Sequence, residues 1–123
     1  MWWRILIGVF FLGHGFVHAR WQLWWPGGGP RTSWLLRNAG ERTLRGLSTT
    51  LFILAAIGFI AAGLGVFLQQ GWWRPVAVIS SVASLLLMAL FWYRGLVVGA
   101  AIDTAISIAL LVAHWPPASQ VGS

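Results

Sequence analysis

The chain has no cysteine, which excludes disulfides, thiolate metal sites, iron–sulfur ligation and cysteine nucleophiles and leaves its redox compartment unread. It has no lysine either: the eight basic residues are all arginine, set against two acids, Glu41 and Asp103. Charged residues make up 8% of the 123. A soluble domain carries roughly 25%, so a water-soluble globule is excluded. The net charge of +6 and the pI near 12.0 reflect scarce acids more than abundant base. No serine elbow, carboxylate pair or histidine–glutamate metal motif occurs. The triple glycine at 27–29 lacks the Lys-Ser/Thr ending of a phosphate-binding loop and follows no strand, so it reads as a flexible turn.

What is present is apolar. Hydrophobic residues account for 59% and the mean hydropathy is +0.79. A membrane helix needs about 20 mostly apolar residues, and four stretches qualify, near 3–19, 47–68, 75–93 and 96–114. Pro75 suits a first helical turn, and Pro116-Pro117 is a firm stop. Short connections make the last three spans antiparallel neighbours. The expected fold is a single all-α membrane domain, an up-down four-helix transmembrane bundle. Residues 1–19 mimic a secretory signal, but His14 and His18 interrupt the apolar run and three spans follow, so an uncleaved first helix is expected.

The long first loop, 20–46, holds most of the polar sequence. Thr32 or Ser33 can cap a short helix starting at Trp34. Leu35, Leu36, Leu44 and Leu47 oppose Arg37, Arg42 and Arg45, the pattern of an amphipathic helix in the headgroup layer with arginines toward anionic lipid. Trp24, Trp25 and Trp34 belong to the same interfacial contact, and all ten tryptophans fall at or near span ends as an aromatic belt. Lipid therefore explains the basic loop, and no nucleic-acid partner is expected. Arg20, Arg31, Arg37, Arg42, Arg45 and Arg94 lie on one side, Arg4 and Arg74 on the other. That asymmetry places the long loop in the cytoplasm and the termini outside, with Arg4 arguing the reverse more weakly.

Small residues in spans 1, 2 and 4 (Gly8 and Gly15; Gly58 and Ala62; Gly99 and Ala105) read as helix packing. Ionisable residues inside spans demand more. An aspartate at helix centre costs about 2.5–3.5 kcal/mol and normally faces the bundle interior with a partner. Asp103 is the one acid within a span, on a face with Ala100, Ser107, Leu110 and His114. His14 and His18 share a face of span 1. At 1.5 Å per residue, His14 lies about 7–8 Å below the loop-side surface and Asp103 about 11 Å below it. His14 is the best partner for Asp103, with His18 nearer the surface as a point of access or proton relay, together with Ser107. Ser80, Ser81 and Ser84 read as back-bonded or interhelical residues.

Three readings of the His14–Asp103 pair stay open. It is a structural hydrogen bond fixing helix register, a proton-handling or quinone-contacting site, or part of a metal set with His18. The two histidines cannot be opposed axial ligands of one haem and His114 is at the wrong depth, so no metal is assigned.

The segment RILIGVFFLGHG at 4–15 and the stretch 57–92, with Gly58, Ala62, Gly63, the 71–74 turn and Met88-Ala89, resemble the DoxX-like group of small four-span membrane proteins. His18 stands where that group has a basic residue after His-Gly, and the first loop here is longer. The resemblance implies a four-helix bundle, an association with membrane redox chemistry such as quinone-linked oxidoreductase complexes, and His14 as a matching position. The expected function is a small membrane accessory or scaffold subunit, bound to a membrane-protein partner or a second copy. The alternative is a quinone- or proton-handling redox subunit using His14 and Asp103, and a third reading is a small proton-coupled transporter.

Overall fold

A computed structural model describes residues 2–24, 30–92 and 94–121, leaving aside the side chains of 21–24. Helices α1 (Trp2–Trp24), α2 (Glu41–Phe67), α3 (Trp73–Leu90), α4 (Val97–Leu111) and a single turn α5 (Ala118–Val121) make up the regular structure, and no strand occurs among the described residues. A 3₁₀ turn, Arg94–Leu96, leads into α4. Among the described residues, three stretches are long and apolar enough to cross a membrane: Glu41–Phe67, Trp73–Leu90 and Arg94–Leu111. This fits a membrane protein.

Helix ends follow local chemistry. Gly40 caps α2, whose first turn carries Glu41 toward the positive end of the helix dipole. At its other end Gln69 is left-handed (φ 56°), while Gln70 N–H donates to Gly65 O and Gln69 N–H to Val66 O. That pairing closes the helix as a Schellman motif. Helix α4 ends at Leu111, ahead of a left-handed His114 (φ 49°) and of Pro116 and Pro117, and Val121 of α5 turns back into the core.

Glycines set how closely the helices approach. A Cβ at Gly15 would meet Ala56 O at 2.9 Å, and one at Gly63 would meet Gly8 O at 2.9 Å, so α1 and α2 run antiparallel with backbones in contact. Gly65 lies against Trp73 and Gly58 against Ser80, pairing α2 with α3; Gly99 lies against Met88, pairing α3 with α4. Small residues allow such approach where lipid offers no hydrophobic drive. The outer surface is correspondingly apolar, with Leu6, Val9 and Phe16 of α1, Ile57 of α2, Ile79 of α3 and Val98 of α4 all exposed.

The interior is layered. Ile7, Phe11, Phe59, Val66, Trp73, Ile106 and Leu110 form one apolar cluster; Leu44, Phe52, Leu87 and Phe91 form a second. Between them along α1, α3 and α4 lie His14, His18, Ser81, Ser84 and Asp103, all buried.

Several boundaries differ from expectation. Helix α1 continues one turn past 19, to Trp24, and α2 begins at Glu41, ahead of 47, so Arg42 and Arg45 belong to α2. Helix α4 stops at Leu111, before His114. The interfacial amphipathic helix at Trp34 is not formed: residues 30–40 contain turns and no helix. Ser33 Oγ–H donates to Leu90 O at 2.6 Å and Trp34 Nε1–H to Ala89 O at 2.6 Å. These are end-of-helix carbonyls of α3 that lack helical partners. Ser33 Oγ also accepts from Leu36 N–H, while Leu36, Leu44 and Leu47 pack with Phe52, Leu87 and Phe91. Leu36 and Ala39 of the loop thus close on protein, while Trp34 and Leu35 stay exposed. Trp25, and the side chain of Trp24, lie outside the described residues.

Overpacking a tight interface costs typically about 1–3 kcal/mol. Gly15→Val is therefore expected to lower the melting temperature in detergent micelles by several degrees. Gly13→Ala, whose Cβ meets nothing within 4 Å, is expected to match or slightly exceed the wild type.

Candidate functional site

Asp103 is 0% exposed, and an ionised carboxylate there must be met by donors. His14 Nε2–H donates to Asp103 Oδ1 at 2.8 Å. The Ser84 hydroxyl donates to Asp103 Oδ2. With its single proton used there, Ser84 Oγ accepts from His18 Nε2–H at 3.2 Å. His18 Nε2 is itself 3.9 Å from Asp103 Oδ2. The result is one carboxylate approached from both sides, directly by His14 and through a hydroxyl by His18.

Main-chain contacts extend the network. Ser81 Oγ–H donates to Asp103 O at 2.7 Å, and the Ser107 hydroxyl donates to Ser81 Oγ at 3.0 Å. Ser107 is thus joined to the backbone of Asp103, not to its carboxylate. Ser80, one position away, bonds back to Val76 O of its own helix.

Helix geometry explains the assembly. His14 and His18 are one turn apart and project from the same side of α1. Ser81 and Ser84, at i and i+3, project likewise from α3. Phe59 of α2 is fully buried and lies against both imidazoles, edge-on to His14 (centroids 4.6 Å) and stacked on His18 (5.6 Å). Phe10 stacks on the other side of His14 at 5.8 Å. Aromatic contacts fix ring planes, and hence the aim of both Nε2 atoms.

A cavity of about 40 Å³ adjoins the histidines, with His14 and His18 on one wall and Phe52, Leu87, Met88, Leu96 and Gly99 around the rest. Pro30 and Phe91 line it at the loop end. That volume holds one or two waters.

Among the sequence-expected residues, His14, His18 and Asp103 come together, and Ser107 reaches them through Ser81. The lipid-contact set is dispersed: Trp34 and Arg37 lie on the turn, with Arg37 Nε donating to Trp34 O, and Arg45 lies 3.7 Å from Glu41, as Arg31 does at 3.5 Å. Arg42 is exposed in the first turn of α2. Ser81 and Ser84 were missed as members of the site. Their three-residue spacing on an otherwise apolar helix is the signal that marks them.

Asp103→Ala strands the His14 N–H and the Ser84 O–H in the interior, each at about 1–3 kcal/mol. We expect unfolding in micelles to rank wild type above Asp103→Asn, which keeps one acceptor oxygen, and Asp103→Asn above Asp103→Ala. Equal melting temperatures would contradict the hydrogen bonds described. Compared with protein families, curated proteins and solved structures, the chain matches none.

Proposed function

We propose that this chain is a four-span membrane subunit of a larger redox assembly, and that its work is done at the His14–His18–Asp103 cluster beside the cavity. The cluster takes up or gives a proton next to an apolar carbonyl ligand of the quinone class. The observation that carries this reading is that two histidines, not one, serve a single buried carboxylate and both line an apolar cavity. Fixing helix register needs only one such pair. A second imidazole facing a cavity is surplus to scaffolding and suited to hydrogen-bonding a ligand, because histidine is both donor and proton carrier.

The residues fit such a ligand in kind. Leu87, Met88, Leu96 and Phe52 offer apolar walls and the histidines the few convergent polar groups that orient a ligand. At about 40 Å³ the cavity is well below the roughly 300 Å³ of a small-molecule site, so a quinone ring enters only as the α1–α4 seam widens. A quinone bound there would supply a reducible carbonyl pair. This chain's own contribution is to hold a proton at a histidine Nε2, to keep bulk water out with apolar walls, and to stabilise a charged imidazole with Asp103. Ser84 links His18 to that same carboxylate, so both imidazoles draw on one negative charge. With no cysteine in the chain, electron-transfer clusters belong to the partner.

Helix α1 is the fourth span in this reading. It has 23 residues, its histidines face inward, and Leu6, Val9, Phe16 and Val17 face outward. The arginine asymmetry puts the loop end of the bundle in the cytoplasm, where Arg37, Arg42 and Trp34 meet anionic headgroups. The likeness to DoxX-like proteins at 4–15 and 57–92 supports the redox assignment.

Only two methionines occur, and Met88 lines the cavity, so a ¹³C-methyl label reads the site directly. Decylubiquinone added to the chain in nanodiscs should shift the Met88 methyl resonance saturably, and His18→Phe should weaken that response about tenfold, the worth of one hydrogen bond to a partly charged group. Absence of a shift, or an equal shift with decanol, would return the protein to the scaffold reading.

A further inference from the structure

Three of the side chains in the buried layer are of metal-ligating type. One ligand atom each from His14, His18 and Asp103 falls within 4.8 Å of the other two, and all three residues are buried. Two histidines four residues apart on a helix present their rings to the same side. The carboxylate of α4 faces them both.

Donor spacing matches an ion. Bonds of about 2.0–2.2 Å to nitrogen and oxygen put two donors on one ion about 3–3.5 Å apart. The His14 Nε2–Asp103 Oδ1 separation of 2.8 Å and the His18 Nε2–Asp103 Oδ2 separation of 3.9 Å bracket that value. Ser84, donating to Asp103 Oδ2, is an outer partner of the kind that orients ligating carboxylates.

Besides Ser84 and Phe59, the two histidines face the cavity, which Asp103 does not line. Three protein ligands with one open position distinguish catalytic from structural zinc sites. Two histidines and one carboxylate with open positions are also the donor set of non-haem ferrous centres. Calcium and magnesium prefer oxygen-rich shells and fit poorly.

We propose that His14, His18 and Asp103 bind one divalent transition cation, Zn²⁺ or Fe²⁺, through both Nε2 atoms and the carboxylate, with the open position toward the cavity. Coordination through Nε2 places each ring proton on Nδ1. Asp103 neutralises one of the two positive charges. Water in the open position is acidified by the ion, and its proton passes to solvent on loading. The aromatic walls at Phe59 and Phe10 hold both rings in place whether or not the ion is present.

This inference does not use the quinone reading, and each can fail alone. The full chain in nanodiscs, stripped with chelator and dialysed, is titrated with Co²⁺, the spectroscopic stand-in for Zn²⁺. One equivalent should produce a saturable visible d–d band that Zn²⁺ then displaces. Loss of an outer-shell partner alone weakens metal sites about 10–100-fold, so His18→Ala should weaken Co²⁺ binding at least tenfold with helical circular dichroism unchanged, and Asp103→Asn likewise. His114→Ala, in the exposed turn beyond α4, should leave the band as it is. No saturable band, a band that survives His18→Ala, or one that disappears in His114→Ala would overturn the proposal. If Asp103→Asn does not fold, His18→Ala still decides. The Met88 methyl response to decylubiquinone is recorded on metal-free protein, so a lost band with an intact Met88 shift removes the metal site only, and the reverse removes the quinone reading only.

Discussion

Moving a carboxylate out of water is costly unless donors replace the water, and in an apolar interior there are few places to find them. Asp103 finds them on two other helices: His14 on α1 and Ser84 on α3. The backbones of α1 and α4 scarcely approach each other, whereas α1 packs closely on α2, α2 on α3 and α3 on α4. Near this depth the tie between the first and last long helices is therefore a side-chain bond spanning a gap, and the cavity beside it is what that gap leaves. A second tie, Trp3 against Trp115 with centroids at 5.6 Å, holds the opposite end. The site and the looseness of the α1–α4 seam have one origin.

The same constraint explains how far the sequence could be read. Long apolar runs broken by Arg-Pro, Arg-Gly and Pro-Pro leave little choice of architecture, and an acid in a span must have a partner at its own height. Counting 1.5 Å per residue from the loop side was enough to pair Asp103 with His14. Ser84 was harder to see, because a serine in an apolar helix is satisfied equally well by its own backbone, as Ser80 is. Which serine turns outward depends on which neighbour carries an unsatisfied oxygen, and that is a tertiary fact.

The helix expected at Trp34 does not form, for a related reason. Leucines opposite arginines record amphipathicity, but amphipathicity does not say whether the apolar face meets lipid or protein. Here the last carbonyls of α3 offer acceptors to Ser33 and Trp34, and Leu36 finds Phe52, Leu87 and Phe91. A side-chain bond from Ser33 back to Leu36 N–H then favours a turn over a helix. Turn residues that hydrogen-bond their own backbone compete directly with helix formation, and tertiary anchoring decided the competition. The consequence reaches the site: Pro30 and Phe91 line the loop end of the cavity beside the histidines.

Protons and cations make opposing demands on these groups. As a hydrogen-bonded cluster, His14 and His18 each use Nε2 as a donor, and the proton lies between ring and oxygen. As a ligand set, the same two nitrogens must offer lone pairs. The two states exclude each other at every atom, so ion binding moves the proton of a neutral ring from Nε2 to Nδ1 and expels a proton only from a ring that was charged. Phe59 and Phe10 fix the ring planes in either state, leaving tautomer and occupant as the variables. Asp103 is common to both, the one carboxylate in surroundings that otherwise supply only hydroxyls, imidazoles and hydrocarbon. Among the described residues the buried ionisable side chains, His14, His18 and Asp103, lie in one place, and both chemistries proposed for it compete for that place.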